Sequence, residues 1–437
     1  MLNPWLTGRA MSVGAVLGCA CAAHGQAAWT PWWEGVGVLP GRNQSYCLDV
    51  SGNGTVAVGY SAGIGTFAPT TPFRWTRAGG LVELAHLAGD DSGVPYGISS
   101  SGLHIVGWSD FTAVKWSSPG FAPVMIASPA EWGTPRPRAV NPDGTVIVGE
   151  AGIGGRVIAV RWAPAAGGGN ASLGTAGGTP TFTQSQAYTV SDDGNTVVGW
   201  SSSNTGAYTG FRWRPVGGNV ALGLPTGYNS AECFGGSADG LYGAGFGTLI
   251  GSGEQRMLRW SGTSVSVLGV PTGATNAGAN CVSNGGRVVG GWAYFGSSQQ
   301  AVRYSQAKGI RRLDELLAAR GASVINFTFV EVTGVSDDGS VLVGKGRRLI
   351  GPTDRPEGFV IFLPLKCSLA DVADLGGSAE PDERITADDL ITFLDAFFSG
   401  NLAIADVARL GGVIGPDGQL TADDIIAYLA AFFAGCP

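Results

Sequence analysis

Short runs of β-branched and small apolar residues recur along most of the chain, and each run is interrupted by a polar turn that ends in glycine. Residues 190–199 are Val-Ser-Asp-Asp-Gly-Asn-Thr-Val-Val-Gly, and residues 335–344 are nearly a copy. Runs of this length and composition predict two strands, and the Asp-Gly step supplies the positive φ angles of a tight hairpin turn. Equivalent turns centre on Gly54, Gly102, Gly144, Gly194, Gly240, Gly286 and Gly339.

An aromatic step follows most of these hairpins. In its clearest copy, Phe211, Arg212 and Trp213 are consecutive. Alternation along a strand places the two large apolar side chains on one face and the cation on the other, so we expect the aromatic face to pack against a neighbouring unit. The cations at this step are Arg74, Lys115, Arg161, Arg212, Arg259 and Arg303. We expect each cation to pair with the acidic turn of a neighbouring unit or to contact water.

The spacing of the turns predicts the architecture. Successive turn glycines are 42 to 53 residues apart, which suits four short antiparallel strands, the size of a propeller blade. A single blade cannot cover both of its faces, so we predict a mainly β fold with a seven-bladed β-propeller of four-stranded blades. Residues 37–41 resemble a fourth strand that the seventh unit lacks, and we expect this N-terminal segment to close the last blade. An open β-solenoid is the alternative architecture.

The first 27 residues have the pattern of an export signal. Arg9 precedes an apolar stretch over residues 11–23, and the small residues Gly25 and Ala27 suit a cleavage site. Residues 16–19 loosely resemble a lipobox, so lipidation of Cys19 stays open. No later segment has 18 unbroken apolar residues, and no transmembrane span is predicted. We therefore expect the protein to be secreted or to lie at the cell surface.

The composition changes at residue 367. Residues 367–437 hold twelve acidic residues and two arginines, whereas residues 28–366 hold 23 basic and 21 acidic residues. The tail also repeats itself with a shift of 35 residues, so that residues 385–389 match residues 420–424. An amphipathic pattern follows each copy and predicts a helix that ends at a glycine, Gly400 or Gly435. We predict a repeat domain over residues 28–366 and a small all-α duplicated domain over residues 367–437.

Composition also limits the chemistry. Beyond the export signal only His86 and His104 remain, which leaves little histidine for acid–base catalysis. A sequence pI near 5.0 and an export signal argue against nucleic-acid binding. The aspartates at the repeated turns are Asp143, Asp192, Asp193, Asp239, Asp337 and Asp338. Because they recur with the turn, we interpret them as turn residues rather than as a catalytic or metal site.

Five cysteines follow the export signal. Cys47, Cys233 and Cys281 lie at or near the strand before a hairpin turn, and we expect buried free thiols there. Cys367 and Cys436 bracket the tail instead. The odd number leaves at least one thiol free or in an intermolecular bond.

The repeated units resemble the HAF repeat, a family of extracellular bacterial repeat proteins. The resemblance rests on the Val-Ser-x-Asp-Gly-x-x-Val-Val-Gly hairpin and the following Phe-Arg-Trp, and it covers about 330 residues. It is most specific in the fourth and seventh units, whereas residues 99–102 of the second unit lack the acidic turn residue. It implies a propeller-like fold outside the cell and no known reaction.

The tail is similar to a dockerin of the planctomycete type that ends in Gly-Cys, here Gly435 and Cys436. That resemblance implies two calcium loops, each followed by a helix, and a cohesin-like or other envelope protein as partner. The calcium ligands it implies are Asp371, Asp382, Asp389, Asp406, Asp417 and Asp424. It also implies that the two ends of the tail lie close together, so that Cys367 and Cys436 form a disulfide.

The tail departs from the dockerin pattern in both copies. Glu383 stands where the turn glycine of the first loop belongs, and Val413 and Gly415 stand where the second loop needs side-chain oxygens. Each copy also has the form of a helix capping box, with a threonine followed three residues later by Asp389 or Asp424. Calcium binding and capping alone therefore both stay open.

Two functions remain. The sequence favours a non-catalytic binding or structural protein, in which the propeller presents a face to a glycan or surface protein and the tail docks to an envelope partner. Several tryptophans could line a sugar site, although their spacing assigns most of them to the core between units. The alternative is a polysaccharide-degrading propeller enzyme delivered by its tail, which needs two carboxylates at one end of a channel. The acidic residues that break the repeat are Glu131, Glu150, Glu232 and Glu254.

Overall fold

The computed structural model describes residues 31–65, 68–164, 169–176, 184–202, 207–351, 353–366, 370–373, 381, 383–409 and 413–434. The expected export signal, Asp382, Cys367 and Cys436 lie outside these residues. Strands occupy most of the chain up to Phe362, and helices dominate after it.

Seven four-stranded units follow one another in the described residues, and we number them blades 1 to 7. Blade 1 contains β2 (Gln44–Val50), β3 (Ala57–Ala62), β4 (Thr70–Thr76) and β5 (Gly80–Glu83). Blade 2 contains β6 (Gly93–Ile98), β7 (His104–Ser109), β8 (Thr112–Ser117) and β9 (Pro123–Met125). Blade 3 contains β10 (Gly133–Val140), β11 (Ile147–Ile153), β12 (Arg156–Ala163) and β13 (Gly169–Gly174). Blade 4 contains β14 (Ser185–Val190), β15 (Val197–Ser202), β16 (Tyr208–Arg214) and β17 (Gly218–Ala221).

Blade 5 contains β18 (Tyr228–Gly236), β19 (Tyr242–Leu249), β20 (Gln255–Ser261) and β21 (Ser264–Gly269). Blade 6 contains β22 (Asn276–Val282), β23 (Val288–Phe295), β24 (Ser298–Ser305) and β25 (Gly309–Arg312), and α1 (Leu313–Ala319) follows it. Blade 7 contains β26 (Phe327–Val335), β27 (Val341–Ile350), β28 (Thr353–Phe362) and, from the other end of the chain, β1 (Trp32–Gly35). Within each blade, consecutive strands pair antiparallel.

The N-terminal segment supplies the fourth strand of blade 7. Trp32 pairs with Phe362 and Gly35 with Phe359. The sequence predicts residues 37–41 as the closing strand. That prediction was wrong in its bounds, because the closing strand is β1, which lies just before them. Gly37 and Gly41 adopt φ angles of 78° and 74°, which a strand does not allow, so this segment turns from blade 7 into blade 1.

The hydrophobic core is divided among the gaps between blades. Seven of the eight clusters of buried apolar residues in the described chain each combine two successive blades. One of them joins Val341 of blade 7 to Phe73 of blade 1, which closes the ring and excludes the open solenoid. Trp75, Trp116, Trp162 and Trp260 are buried in these clusters, so the expected packing of the aromatic step between units is confirmed.

The turn glycines are required for two physical reasons. All seven have φ angles between 66° and 76°, a region that side chains with a Cβ disfavour. Most of them also lie against the preceding blade. A Cβ on Gly54 would lie 2.5 Å from Cγ2 of Val341, and one on Gly194 would lie 2.8 Å from Cγ2 of Val146. The turn of one blade thus packs against the strands of the blade before it.

Four of the six cations of the aromatic step bind these turns, but not through acidic side chains. Lys115 donates from Nζ to the carbonyl of Gly144 in the next blade at 3.1 Å, and Arg259 donates from Nη1 to Gly286 at 2.6 Å. Arg161 and Arg212 make the equivalent bonds. The expected acidic partner was therefore wrong for these four blades. The glycine carbonyl is the better partner because the tight turn points it at the neighbouring blade.

The tail forms a second, helical unit. It contains α2 (Ala387–Ser399), α3 (Leu402–Ala405), α4 (Ala422–Ala434) and a two-residue strand pair, β29 (Ala408–Arg409) with β30 (Val413–Ile414). Phe393 and Tyr428, equivalent residues of the two copies, stack with centroids 3.8 Å apart in a buried core. Helix α2 ends at Gly400 with a φ of 77°, as the sequence predicts. No helix among the described residues is both long and apolar enough to cross a bilayer.

Replacing Gly54 with alanine tests the contact that closes the ring. The new methyl group meets Val341 and also imposes a positive φ on alanine, so we expect the free energy of unfolding to fall by about 2–3 kcal/mol. Gly296→Ala is the matched control, because Gly296 has a φ of 62° but no neighbouring atom within 4 Å of its Cβ position. We expect the control to lose about 1 kcal/mol. Equal losses in urea titrations would contradict the packing role.

Candidate functional sites

The innermost strand of each blade carries a β-bulge at the same position. In blade 1 the register shifts between Cys47 and Asp49, and the same shift occurs in all seven blades of the described chain. A bulge leaves one residue unpaired and re-aims its side chain. The residues at this position are Leu48, Tyr96, Arg138, Tyr188, Phe234, Asn280 and Thr333, and all of them line one central channel with a volume of about 390 Å³.

Three of these residues are aromatic, and we call the part of the channel that they line the channel mouth. Tyr96, Tyr188 and Phe234 line it and are half-buried. Phe234 stacks on Phe246 with centroids 5.4 Å apart, and Trp108 donates from Nε1 to the hydroxyl of Tyr96 at 3.0 Å. Rings that are held by neighbouring rings present fixed apolar faces to the cavity.

Trp108 and Phe246 lie behind the rings of the mouth, and both occupy the same position of the sequence repeat. They directly follow the glycine that ends the second strand motif of a unit. The residues at this position are Tyr60, Trp108, Glu150, Trp200, Phe246, Trp292 and Lys345. Five of the seven are aromatic, and they lie beside the channel rather than in the core between blades. The two charged exceptions belong to blades 3 and 7.

Both charged exceptions form ion pairs at the mouth. Glu150 accepts two hydrogen bonds from Arg138, at 2.5 Å from Nε and 2.8 Å from Nη2. Burial disfavours the charge of Arg138, but Glu150 more than offsets this and raises the pKa of the guanidinium. Lys345 donates to Glu331 at 3.0 Å, and Asn280 donates to the same carboxylate at 2.8 Å. The mouth therefore combines aromatic faces with two neutralised pairs of charges.

The end of the channel at the hairpin turns is acidic. Asp192 and Asp337 occupy the first position of their turns, and they also line the channel, which the sequence did not indicate. Asp192 accepts a hydrogen bond from Ser100 across the channel at 2.7 Å. Burial and the charge of Asp192 raise the pKa of Asp337 to about 6. Burial likewise raises the pKa of Asp49 to about 7.

The remaining turn aspartates have the structural role that the sequence indicates. Asp193 accepts from the backbone N–H of Asn195 at 2.9 Å, and Asp338 accepts from that of Ser340 at 2.9 Å. Asp143 and Asp239 make the equivalent bonds. Such bonds stabilise a turn within its own blade.

Asp337→Asn tests the acidic end of the channel. A carboxyl group whose pKa is raised in the folded state binds more protons there than when unfolded, so it lowers stability as the pH rises from about 4 to about 6. We expect the variant to match the native protein in thermal melts at pH 4 and to melt at a higher temperature at pH 7.5. Exposed Asp91→Asn serves as the control. A gain that is the same at both pH values would contradict the assignment.

The repeat-breaking glutamates do not form one catalytic pair. Glu131 is exposed, and Glu254 pairs with Arg256 at 2.6 Å with 44% of its side chain exposed. The charges of Glu150 and Glu232 both raise the pKa of Tyr188, so both carboxyl groups lie near the mouth. Glu150, however, is held by Arg138 through both carboxylate oxygens, and burial raises the pKa of Glu232. At the mouth, Glu232 is thus the one repeat-breaking glutamate without an ion-pair partner in the described chain, so these four residues do not supply the two carboxyl groups that glycoside hydrolysis needs.

The histidines and three of the cysteines are structural. His104 bonds to Ser117 through Nδ1 at 2.9 Å, and His86 bonds to the carbonyl of Thr70 at 3.2 Å. Cys47, Cys233 and Cys281 are buried free thiols, as expected. Burial raises the pKa of all three thiols, which keeps them protonated and unreactive.

The proposed calcium ligands of the tail lie in two equivalent environments. Asp389 accepts from the N–H groups of Val372 and Ala373 through Oδ1, each at 2.8 Å, and from the N–H of Thr386 through Oδ2 at 2.8 Å. Asp424 makes the same three bonds in the second copy. These carboxylates thus cap their helices and tie the preceding loop to them.

The other implied ligands face the loops. Asp371 accepts from the N–H of Glu383 at 3.1 Å, and Asp406 accepts from the N–H groups of Asp417 and Gly418. Asp417 itself is exposed. No group of three or more histidine, cysteine or acidic side chains in the described part of the chain has a metal-binding arrangement. The described residues fit capping, and calcium binding stays a prediction.

Glu383, the residue that replaces the loop glycine, joins the tail to the propeller. It adopts a φ of 66° and is fully buried. Its carboxylate accepts from Arg303 at 2.9 Å, from Arg320 at 2.6 Å and from Ser305 at 2.5 Å. Burial opposes its charge, but Arg303 and Ser305 hold the pKa below the ordinary value. The cation of blade 6 thus binds the tail, whereas Lys115 and Arg259 bind the next turn.

Glu383→Gln tests this buried cluster. The amide keeps the shape but leaves Arg303 and Arg320 without a counter-charge, so we expect the free energy of unfolding to fall by about 3–5 kcal/mol. The tail should also become more sensitive to limited proteolysis than the propeller. Asp395→Asn, an exposed change in the same domain, is the control. A loss no larger than that of the control would show that the cluster does not hold the tail.

Comparisons with known proteins identify no family. No protein-family model and no curated protein matches the sequence. Among solved structures, TolB from Acinetobacter baumannii is 14% identical over 62% of this chain and 62% of its own, with a TM-score of 0.40. The chain thus spans less than two thirds of the length of that protein.

Two further structures are similar at the same level. The β-propeller domain of the Trilobed protease from Pyrococcus furiosus is 11% identical over 73% of this chain and 94% of its own, with a TM-score of 0.45. An oligogalacturonate lyase from Vibrio parahaemolyticus is 10% identical over 77% and 97%, with a TM-score of 0.49. The propeller assignment rests on the strand pairing and closure described above, and these similarities add no argument about function.

Proposed function

We propose that the chain is a secreted or surface-anchored binding protein without catalytic activity. The observation that carries the proposal is the channel mouth, where irregular residues of a repetitive fold converge on one cavity. Aromatic faces with a few polar groups at fixed positions are typical of ligand sites. The ligand is a glycan or a surface protein, and the propeller holds the site rigid.

The tail supplies the anchor in this proposal. Its similarity to a dockerin motivates a cohesin-like or other envelope protein as partner. Both helices expose large apolar side chains at equivalent positions, Ile391 and Phe398 in α2 and Ile426 and Phe433 in α4. Phe398 and Phe433 are 80% and 81% exposed, which favours a protein partner that covers them. Calcium in the tail loops remains part of the proposal.

Pull-down with the full chain tests the anchor. We expect immobilised protein to retain one envelope protein, and Phe398→Asp with Phe433→Asp to abolish that retention because a charge replaces the apolar contact. Val216→Asp is the control, since Val216 is 91% exposed on the propeller. Parallel runs with calcium and with a chelator show whether the partner needs the metal. Equal retention by both variants would contradict anchoring through these helices.

A further inference from the structure

The chemistry of the channel mouth limits the ligands it accepts. Tyr96, Tyr188 and Phe234 come from blades 2, 4 and 5 and line the cavity. The guanidinium of Arg138 lies over the rings of Tyr96 and Tyr188, 5.4 Å and 4.5 Å from their centroids, and Tyr188 meets Phe234 at 5.2 Å with ring planes at 78°. The ring surface that these contacts leave uncovered faces the cavity. Phe246 in turn contacts Trp292, with centroids 6.0 Å apart and ring planes at 67°. A ligand that covers such faces needs flat apolar surfaces of its own.

The two ion pairs at the mouth cancel in charge, and burial raises the pKa of Glu232, the carboxyl group there without an ion-pair partner in the described chain, which favours its neutral form. Arg138 is paired with Glu150, and Lys345 is paired with Glu331, so each cation already has its anion. An anionic polymer would have to break these pairs and meet the carboxylates, and a cationic ligand would meet Arg138 and Lys345. A neutral ligand avoids both costs.

The pairs still offer hydrogen bonds in both directions. A guanidinium or ammonium group donates and a carboxylate accepts, while the amide of Asn280 can do both. A hydroxyl group also donates and accepts, so one hydroxyl can bridge the two members of a pair without separating them. A ligand with many hydroxyl groups on its edge and C–H groups on its faces therefore satisfies both parts of the mouth.

We infer that the channel mouth binds a neutral oligosaccharide, with sugar C–H groups on the uncovered ring surface of Tyr96, Tyr188 and Phe234 and hydroxyl groups on the Arg138–Glu150 and Lys345–Glu331 pairs. The whole channel, including its acidic end, has a volume of about 390 Å³, so its aromatic part suits a short saccharide segment or chain end. This inference rests on the proposed function, in which the propeller presents a ligand site, and names the ligand class.

Calorimetric titration of the full chain tests the inference. The probes are cellohexaose, xylohexaose and mannohexaose as neutral hexamers, and hexagalacturonate as an anionic hexamer of similar size. We expect at least one neutral hexamer to bind and hexagalacturonate to bind more weakly. Phe234→Ala and Trp108→Ala should each weaken binding about tenfold, because each removes one ring from the mouth or from the layer behind it.

A control separates loss of the site from loss of the fold. Val216→Ala truncates a side chain that is 91% exposed on the propeller and does not line the channel, and it should leave saccharide binding unchanged. Thermal melts of Phe234→Ala and Trp108→Ala identify any variant that has unfolded. If a variant has unfolded, hydrogen exchange of the native protein is measured with and without the hexamer instead. We then expect the hexamer to increase protection of residues 94–98 and 186–190.

The outcomes distinguish this inference from the proposed function. Tighter binding of hexagalacturonate, or no binding of any neutral hexamer at millimolar concentration, would overturn the saccharide inference. Suppose that the native chain then retains a surface protein and the Phe234→Ala variant does not. The proposed binding function would stand, with a protein as the ligand. If neither saccharide nor protein bound through the mouth, both proposals would fall.

Discussion

The structure depends on the close contact between each hairpin turn and the blade before it. A turn glycine with positive φ has no Cβ, so its backbone packs directly against a side chain of the preceding blade, as Gly54 does against Val341. The same turn offers its glycine carbonyl to the cation of the preceding blade, as from Lys115 to Gly144. Apolar clusters then fill the remaining gap. Because no blade covers its own faces, each blade depends on its neighbours, and closure of the ring leaves no end blade with an uncovered face.

Regular positions serve this architecture, and the departures from the repeat coincide with the candidate sites. At the position after the second strand motif, five blades place aromatic rings, whereas blades 3 and 7 place Glu150 and Lys345. Those two residues belong to the ion pairs of the channel mouth. At the cation position, Arg303 does not bind the next turn but binds Glu383 of the tail. Specific ion pairs thus form at the copies of the repeat that lack the residue or the contact shared by the other copies.

The tail shows the same relation between departure and role. Its two copies cap their helices through Asp389 and Asp424 in the same way. They differ at the loop position where the second copy keeps Gly418, with a φ of 84°, and the first has Glu383. A glutamate in this backbone conformation is strained, and its buried bonds to Arg303 and Arg320 offset that strain. The first loop is therefore held by the propeller, while the exposed faces of both helices stay available.

The sequence by itself determined the blade number, the turn glycines, the aromatic core and the paired helices of the tail, because each follows from local periodicity and φ preference repeated many times. It also indicated that the N-terminal segment closes the ring, although only the strand pairing showed that β1 does so. The tertiary structure decided what local pattern cannot express. The bulge that turns Tyr96 and Arg138 into the channel, the two aspartates at its acidic end and the contact of Glu383 with Arg303 all join residues far apart in the chain. Their positions depend on how the blades meet, and a single unit contains no information about the residue that will face it.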